Sequence, residues 1–160
     1  SSDVCSSDLA GVVVGLGGVA AHVLCKLPRD AEGYMGRLRC VQEISAVTAA
    51  CMMVKTSVFK AVGGFDEELK VAFNDIDLCM KVRKYGVKIV FTPYAELYHY
   101  ESKSRGMEDT PEKQLRFSRE VNCFRRKWER ELLKGDPYYN PNLTLNNTDC
   151  SLRKQEKNGD

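Results

Sequence analysis

Apolar positions along this chain fall in short blocks cut apart by glycine, proline and acidic turns, and the blocks carry two different periods. Val12-Val13-Val14 is β-branched and runs into Gly15, Gly17 and Gly18, which predicts a short strand within residues 11–18. Residues 27–36 are turn-rich, with Pro28, Gly33 and Gly36. Residues 45–54 are small and apolar, as in a buried strand with close neighbours. Residues 57–62 read as a short helix, with Thr56 or Ser57 at its cap and Gly63-Gly64 as its stop. A second helix begins at Asp75 or Asp77. Leu78, Val82 and Tyr85 share one of its faces, and Gly86 ends it. Residues 87–91 predict a strand closed by Pro93, and residues 95–100 a further extended segment. Helix followed by strand, twice, defines an α/β chain.

The clearest helix signal lies later. Thr110-Pro111-Glu112 offers a cap, a proline at the first position and an acid at the positive end of the dipole. The helix is expected to reach about Lys134 and stop at Gly135. Phe117, Val121, Phe124, Trp128 and Leu132 form its apolar stripe, so Trp128 reads as a core anchor. Asp136-Pro137 to Asn140-Pro141 is a loop stiffened by its prolines. The polar residues from Arg153 on are expected to be disordered.

Composition sets the class. In 160 residues, 43% hydrophobic, the chain holds one domain or a piece of one. A net charge of +2 selects no nucleic-acid partner. Arg125-Arg126-Lys127, flanked by Glu120, Glu129 and Glu131, reads as a solvated helix face. The seven cysteines are odd in number and form no C-x-x-C pair, which disfavours a structural zinc site or a redox dithiol. A reducing, cytoplasmic location follows, with peripheral attachment to the inner membrane left open. The apolar run 9–25 sits at the lower length limit for a spanning helix but holds four glycines and His22, so the spanning reading is set aside. Ser1 to Leu9, rich in Ser and Asp, looks like a translated sequencing adapter of a metagenomic assembly. These residues are expected to be non-native and the chain a C-terminal fragment.

Candidate chemistry concentrates in residues 45–106. Asp66-Glu67-Glu68 and Asn74-Asp75-Ile76-Asp77 place carboxylates at turns and at a helix start, followed by His99 and Glu101. One aspartate at a helix start is explained by capping. Two, beside an asparagine, leave room for a general base whose neighbour raises its proton affinity. Asp75-x-Asp77 also spells a metal-binding D-x-D, although here it opens a helix instead of ending a strand. Gly15-Leu16-Gly17-Gly18-Val19-Ala20 nearly matches the dinucleotide fingerprint, which keeps a nucleotide-binding module as an alternative. A non-catalytic interaction domain is the other alternative.

Taken in order, Gly63-Gly64-Phe65-Asp66-Glu67, Asn74-Asp75-Ile76-Asp77-Leu78-Cys79, Gly86, the run from Thr92 to His99, and the run from Glu101 to Gly106 resemble family 2 glycosyltransferases of the GT-A fold. The likeness extends upstream through Gly15 to Gly18 and Leu27-Pro28-Arg29-Asp30, and downstream through the loop from Asp136 to Thr144. The resemblance implies an α/β fold: the C-terminal half of a GT-A domain, with a mixed sheet flanked by helices and a long amphipathic C-terminal helix. It divides the chain into a non-native 1–9, an acceptor-side catalytic part 10–106, a helix and Pro-rich loop 107–152, and a tail 153–160.

The resemblance also implies roles. Asp75 is the base that deprotonates the acceptor hydroxyl. Asp77 caps the helix or braces the site. Asp66, Glu67 and Asn74 line the acceptor pocket. Ser102, Ser104 and Arg105 face the donor phosphates, and His99 is a ligand of Mg²⁺ or Mn²⁺. Nucleotide-sugar donor and saccharide acceptor are the implied partners, in an inverting transfer serving polysaccharide or surface-glycan synthesis. The family's D-x-D strand and nucleotide-binding half have no counterpart in these residues, so the polypeptide alone is expected to be inactive.

Overall fold

Glycines decide how the first apolar block folds. In the computed structural model, which describes residues 10–25, 27–28, 30–95 and 110–154, Val12–Val14 forms strand β1. The chain turns through a short 3-10 segment, Leu16–Gly18, and returns as strand β2, Ala20–His22. The two pair antiparallel, with Val13 opposite Ala21. Gly15 (φ 97°), Gly17 (φ 64°) and Gly18 (φ 80°) all occupy the left-handed region that side chains resist. This corrects the dinucleotide reading of Gly15 to Ala20. That fingerprint needs a glycine turn leading into a helix, whose N-terminus binds the pyrophosphate; here the turn leads into an antiparallel strand.

β1 is buried on both faces. Val12 and Val14 point into a cluster with Ala46, Leu69, Ile76, Met80, Phe124 and Trp128. Val13 points the opposite way, into a cluster with Leu16, Val23, Tyr139 and Leu143. The period of two along a strand assigns alternate valines to separate cores.

The block 45–54 does not become a regular strand. Ala46 makes an isolated bridge to Val12, and the chain then closes into a 3-10 turn, Ala49–Cys51, capped by Thr48 Oγ1. Strand β3 lies just before it, Gln42–Glu43, and pairs antiparallel with β4, Val90–Phe91. The predicted strand 87–91 is thus shorter than its apolar pattern, although Ile89 also accepts a bond from Ile44 N at 3.0 Å. All ladders among the described residues are antiparallel and two-stranded, where a mixed sheet was expected. The architecture is mixed α/β.

Helix α1 spans Thr56–Ala61, with Lys55 at its cap position and no side-chain capping bond, so neither Thr56 nor Ser57 plays the expected part. Helix α2 spans Asn74–Lys84. Helix α3, Pro111–Lys127, starts as predicted: Thr110 Oγ1 accepts from Lys113 N at 3.4 Å and Pro111 takes the first turn. The expected single helix is broken at Trp128 (φ −116°, ψ 22°), and Glu129–Lys134 continues as α4 to Gly135. Phe124 and Trp128 are fully buried, whereas Phe117 lies at the rim.

At the C-terminal side, the Asp136 carboxylate gathers three donors. Val14 N binds Oδ2 at 2.8 Å, while Ser45 Oγ at 2.6 Å and Tyr138 N at 2.8 Å bind Oδ1. This stitches the loop after α4 to β1. The loop ends with Leu143 bridging Leu152, and Arg153 N donates to Asn142 O at 2.8 Å, so the expected disorder does not begin at Arg153. Residues 1–9 and 155–160 lie outside the described residues. Among the described residues no helix is long and apolar enough to cross a membrane.

Gly17→Val should destabilise the fold by about 1–2 kcal/mol through its left-handed backbone alone, since nothing lies within 4 Å of an added Cβ. Thermal or urea unfolding of the variant measures this. Cys79, buried against Val47 O, has its thiol pushed up to about 12 by burial. It should resist iodoacetamide at pH 8 until the chain is unfolded, while the exposed Cys40 is open to the reagent. Alkylation followed by peptide mass mapping reads both.

Candidate active site

The start of α2 is where the candidate residues meet. The helix cannot begin on its own sequence: its cap position is Phe73, which makes no side-chain capping bond and holds a left-handed backbone (φ 63°, ψ 3°). Phe73 O accepts the first helical bond, from Asp77 N at 2.8 Å. Neither aspartate therefore occupies the cap position that their spacing suggested. Asp75 lies in the first turn, half-buried. Its Oδ1 accepts from Ile76 N at 2.8 Å, and its Oδ2 from Ala49 N at 2.9 Å. The second bond ties α2 to the 3-10 turn that replaces the predicted strand. A carboxylate accepting two backbone N–H bonds keeps further lone pairs and can still take a proton from an approaching hydroxyl.

Two residues on, the helix turns Asp77 inward. Its side chain is 0% exposed; Oδ1 meets two donors, and Oδ2, without a hydrogen bond, faces the charge of a lysine. Trp128 Nε1 reaches Oδ1 at 2.9 Å, Lys127 Nζ reaches Oδ1 at 2.8 Å, and Lys81 Nζ faces Oδ2 at 3.0 Å. Both lysines continue outward to the turn after α1. Lys81 donates to Gly64 O at 2.7 Å, and Lys127 pairs with Asp66. Asp66 Oδ1 also accepts from Glu68 N at 3.0 Å, closing the turn on itself. The hydrogen bond from Lys127, aided by the Glu68 amide, holds the Asp66 carboxyl below the usual carboxylate range. Burial works against the charge of Lys127, but its bonds to Asp66 and Asp77 outweigh this and raise it.

The structure thus divides the acceptor-side candidates. Asp66 is engaged through both oxygens in bracing the turn. Glu67 is exposed, and Asn74 is half-buried with no side-chain hydrogen bond among the described residues. His99, Ser102, Ser104 and Arg105 lie outside the described residues.

Three residues escaped the sequence reading. Lys127 is exposed, as the solvated basic face predicts, yet its ammonium reaches inward to the buried Asp77 carboxylate. Glu120, taken only as a flanking charge, is buried and accepts from Val71 N at 3.2 Å and Ala72 N at 2.7 Å. Lys81 could have been found from its position four residues after Asp77. The other two act across about fifty positions of chain, where local spacing carries no signal.

Among the described residues no three His, Cys, Asp or Glu side chains converge to hold a metal ion. Asp75 and Asp77 point to opposite sides of α2's first turns, one toward the 3-10 turn and one into the core, so they do not form a D-x-D pair of ligands. A cleft of about 540 Å³ opens at the far end of α2, lined by Arg83, Lys84, Lys88, Lys134, Trp128 and Tyr138 among others; Asp75 is not part of it.

The chain is 57% identical over 144 residues to the uncharacterized protein y4gI of Sinorhizobium fredii, covering 89% of this chain and 16% of that protein. It is 38% identical over 152 residues to the O-antigen biosynthesis protein RfbC of Myxococcus xanthus, covering 94% of this chain and 12% of that one. It is also 36% identical over 62 residues to an N-acetylglucosaminyl-diphospho-decaprenol L-rhamnosyltransferase of Mycobacterium tuberculosis, covering 39% of this chain and 20% of that enzyme. The chain spans no more than 20% of the length of these curated relatives. No family model and no solved structure matches it. Of these relatives, one is named for O-antigen biosynthesis and one for rhamnosyl transfer.

Asp77→Ala should cost about 3 kcal/mol, because it leaves the Trp128 indole N–H without its acceptor and removes the buried counter-charge of Lys81 and Lys127, which keep only Gly64 O and Asp66 as partners. Both lysines keep some access to solvent, which holds the loss to the lower end of the range for a broken buried pair. Urea unfolding followed by Trp128 fluorescence measures it. Because the Asp66 carboxyl is lowered, its pairing adds stability that is complete above its ordinary value of 3.8 and is lost as pH falls through the lowered value. Acid unfolding of Asp66→Asn should lack that component.

Proposed function

We propose that this chain carries the acceptor side of the active site of an inverting glycosyltransferase. In this reading a sugar passes from a nucleotide-sugar donor to a saccharide hydroxyl, in polysaccharide or surface-glycan synthesis. The observation that carries the proposal is the Asp75 carboxylate. It sits half-exposed in the first turn of α2, fixed by Ala49 N, within a motif set that resembles family 2 transferases. The homologues named for O-antigen biosynthesis and for rhamnosyl transfer point the same way.

The chemistry follows from that placement. The acceptor hydroxyl approaches the open side of Asp75. As its oxygen bonds to the anomeric carbon, its proton passes to the carboxylate. The bond from the anomeric carbon to the donor's phosphate oxygen breaks on the opposite face, and the nucleoside diphosphate leaves with the electron pair. General-base help of this kind is worth roughly 10²–10⁴-fold in rate. Asn74 and Glu67 offer polar groups to an acceptor saccharide, while Asp66 holds the turn that carries Glu67. Asp77 acts from below, fixing α2 so that Asp75 keeps its direction. In the same reading Ser102, Ser104 and Arg105 serve the donor phosphates, Arg105 by bidentate pairing, and His99 serves a divalent metal. Among the described residues no group of three His, Cys, Asp or Glu side chains forms a site for that metal.

In the full-length polypeptide, Asp75→Asn should lower sugar transfer roughly 10²–10⁴-fold while leaving the fold intact. Transfer measured with a panel of nucleotide-sugars, alongside circular dichroism, checks this. Unchanged transfer would overturn the assignment. An absence of any transfer by the intact wild-type polypeptide would favour a non-catalytic interaction domain.

A further inference from the structure

The group that sets the start of α2 belongs to a different helix. Glu120, midway along α3 and 3% exposed, turns one oxygen to Val71 N at 3.2 Å and the other to Ala72 N at 2.7 Å. One turn back, Arg116 Nε stands 3.9 Å from the same carboxylate and supplies counter-charge. The next residue after the gripped amides is Phe73, in the left-handed conformation that a bulky side chain avoids. Its ring rests on Phe124 and Phe117, with centroids 5.3 and 5.8 Å away, and both of those also belong to α3. Helix α3 therefore holds residues 71–73 by two amides and a ring. From there the chain enters α2, and Asp75 meets Ala49 N.

We propose that Glu120 is a positioning residue for Asp75: its bidentate grip on the Val71 and Ala72 amides fixes the left-handed turn that aims the Asp75 carboxylate. The significance for transfer rests on Asp75 being the base; the geometric link does not. A carboxylate is suited to the task because it presents acceptors to two neighbouring N–H groups at once. Glutamine, of the same shape, offers one acceptor and turns an NH₂ toward the other donor.

The test is Glu120→Gln in this chain, read by amide NMR. Val71 and Ala72 report the grip, Ala49 reports the Asp75 bond, and the Trp128 indole N–H, bonded to Asp77, reports the integrity of the core beneath α2. The expected result is that Val71, Ala72 and Ala49 all shift, and that Ala49 exchange protection falls at least tenfold while the indole signal stays. Movement of Val71 and Ala72 with an unmoved Ala49 would overturn the proposal. Should Glu120→Gln not fold, Phe117→Leu loosens the same turn from a rim position, 40% exposed, without touching the carboxylate. Ala49 should then shift in the same direction by less, and an unmoved Ala49 would again overturn the proposal. In the full-length polypeptide, Glu120→Gln should lower kcat on the order of 10–100-fold with little change in KM, as expected of a base displaced by about 1 Å. Retained transfer by Asp75→Asn would remove the base and leave the NMR link standing; an unmoved Ala49 would do the reverse.

Discussion

A single buried charge organises this molecule. The Asp77 carboxylate sits at zero exposure, where an unpaired ion would be too costly to keep. Its compensation comes from three side chains: Lys81 from its own helix, and Lys127 and Trp128 from the junction of α3 and α4. That demand accounts for the broken C-terminal helix. Trp128 leaves helical geometry where its indole N–H meets Asp77, while its backbone N–H still bonds Phe124 O and its carbonyl still receives Leu132 N. The lysines extend the constraint outward to Gly64 and Asp66, so the turn after α1 is tied to the same centre.

Two acids two residues apart on one helix face different surroundings, and the helical period explains why. A separation of two positions rotates a side chain by about 200°. Asp77 consequently looks into the core while Asp75 looks toward the 3-10 turn and solvent. One becomes a structural ion and the other is left with open lone pairs. The glycosyltransferase reading uses this division: a rigid inner acid and a reachable outer one.

Local rules read much of this in the sequence. Thr110-Pro111 and Gly135 mark the limits of the C-terminal helical region, and the valine–glycine block marks β1, because each signal acts within one turn or one strand. Residues 45–54 depart from the expected strand because a small apolar run suits a 3-10 turn against a helix as well as a strand. The dinucleotide resemblance failed because the glycines that fit a phosphate loop also fit a hairpin. At the candidate site, the acids around α2 were legible as types. Their separate tasks were not, because Lys127 and Glu120 act from α3, far along the chain, and Lys127 sits in a run whose charge pattern resembles an ordinary solvated face.

The alternation of β1 carries a further consequence. Val12 and Val14 belong to the core under α2 and α3, and Val13 to the core under the C-terminal loop. A three-residue strand is thus the common wall of two hydrophobic compartments, and Asp136 fastens that wall to the loop through Val14 N. Neither compartment can open without moving the partition that closes the other. Unfolding should therefore be a concerted event across the described residues, with the Pro-rich loop and the helix that bears Asp75 lost together instead of melting as separate pieces.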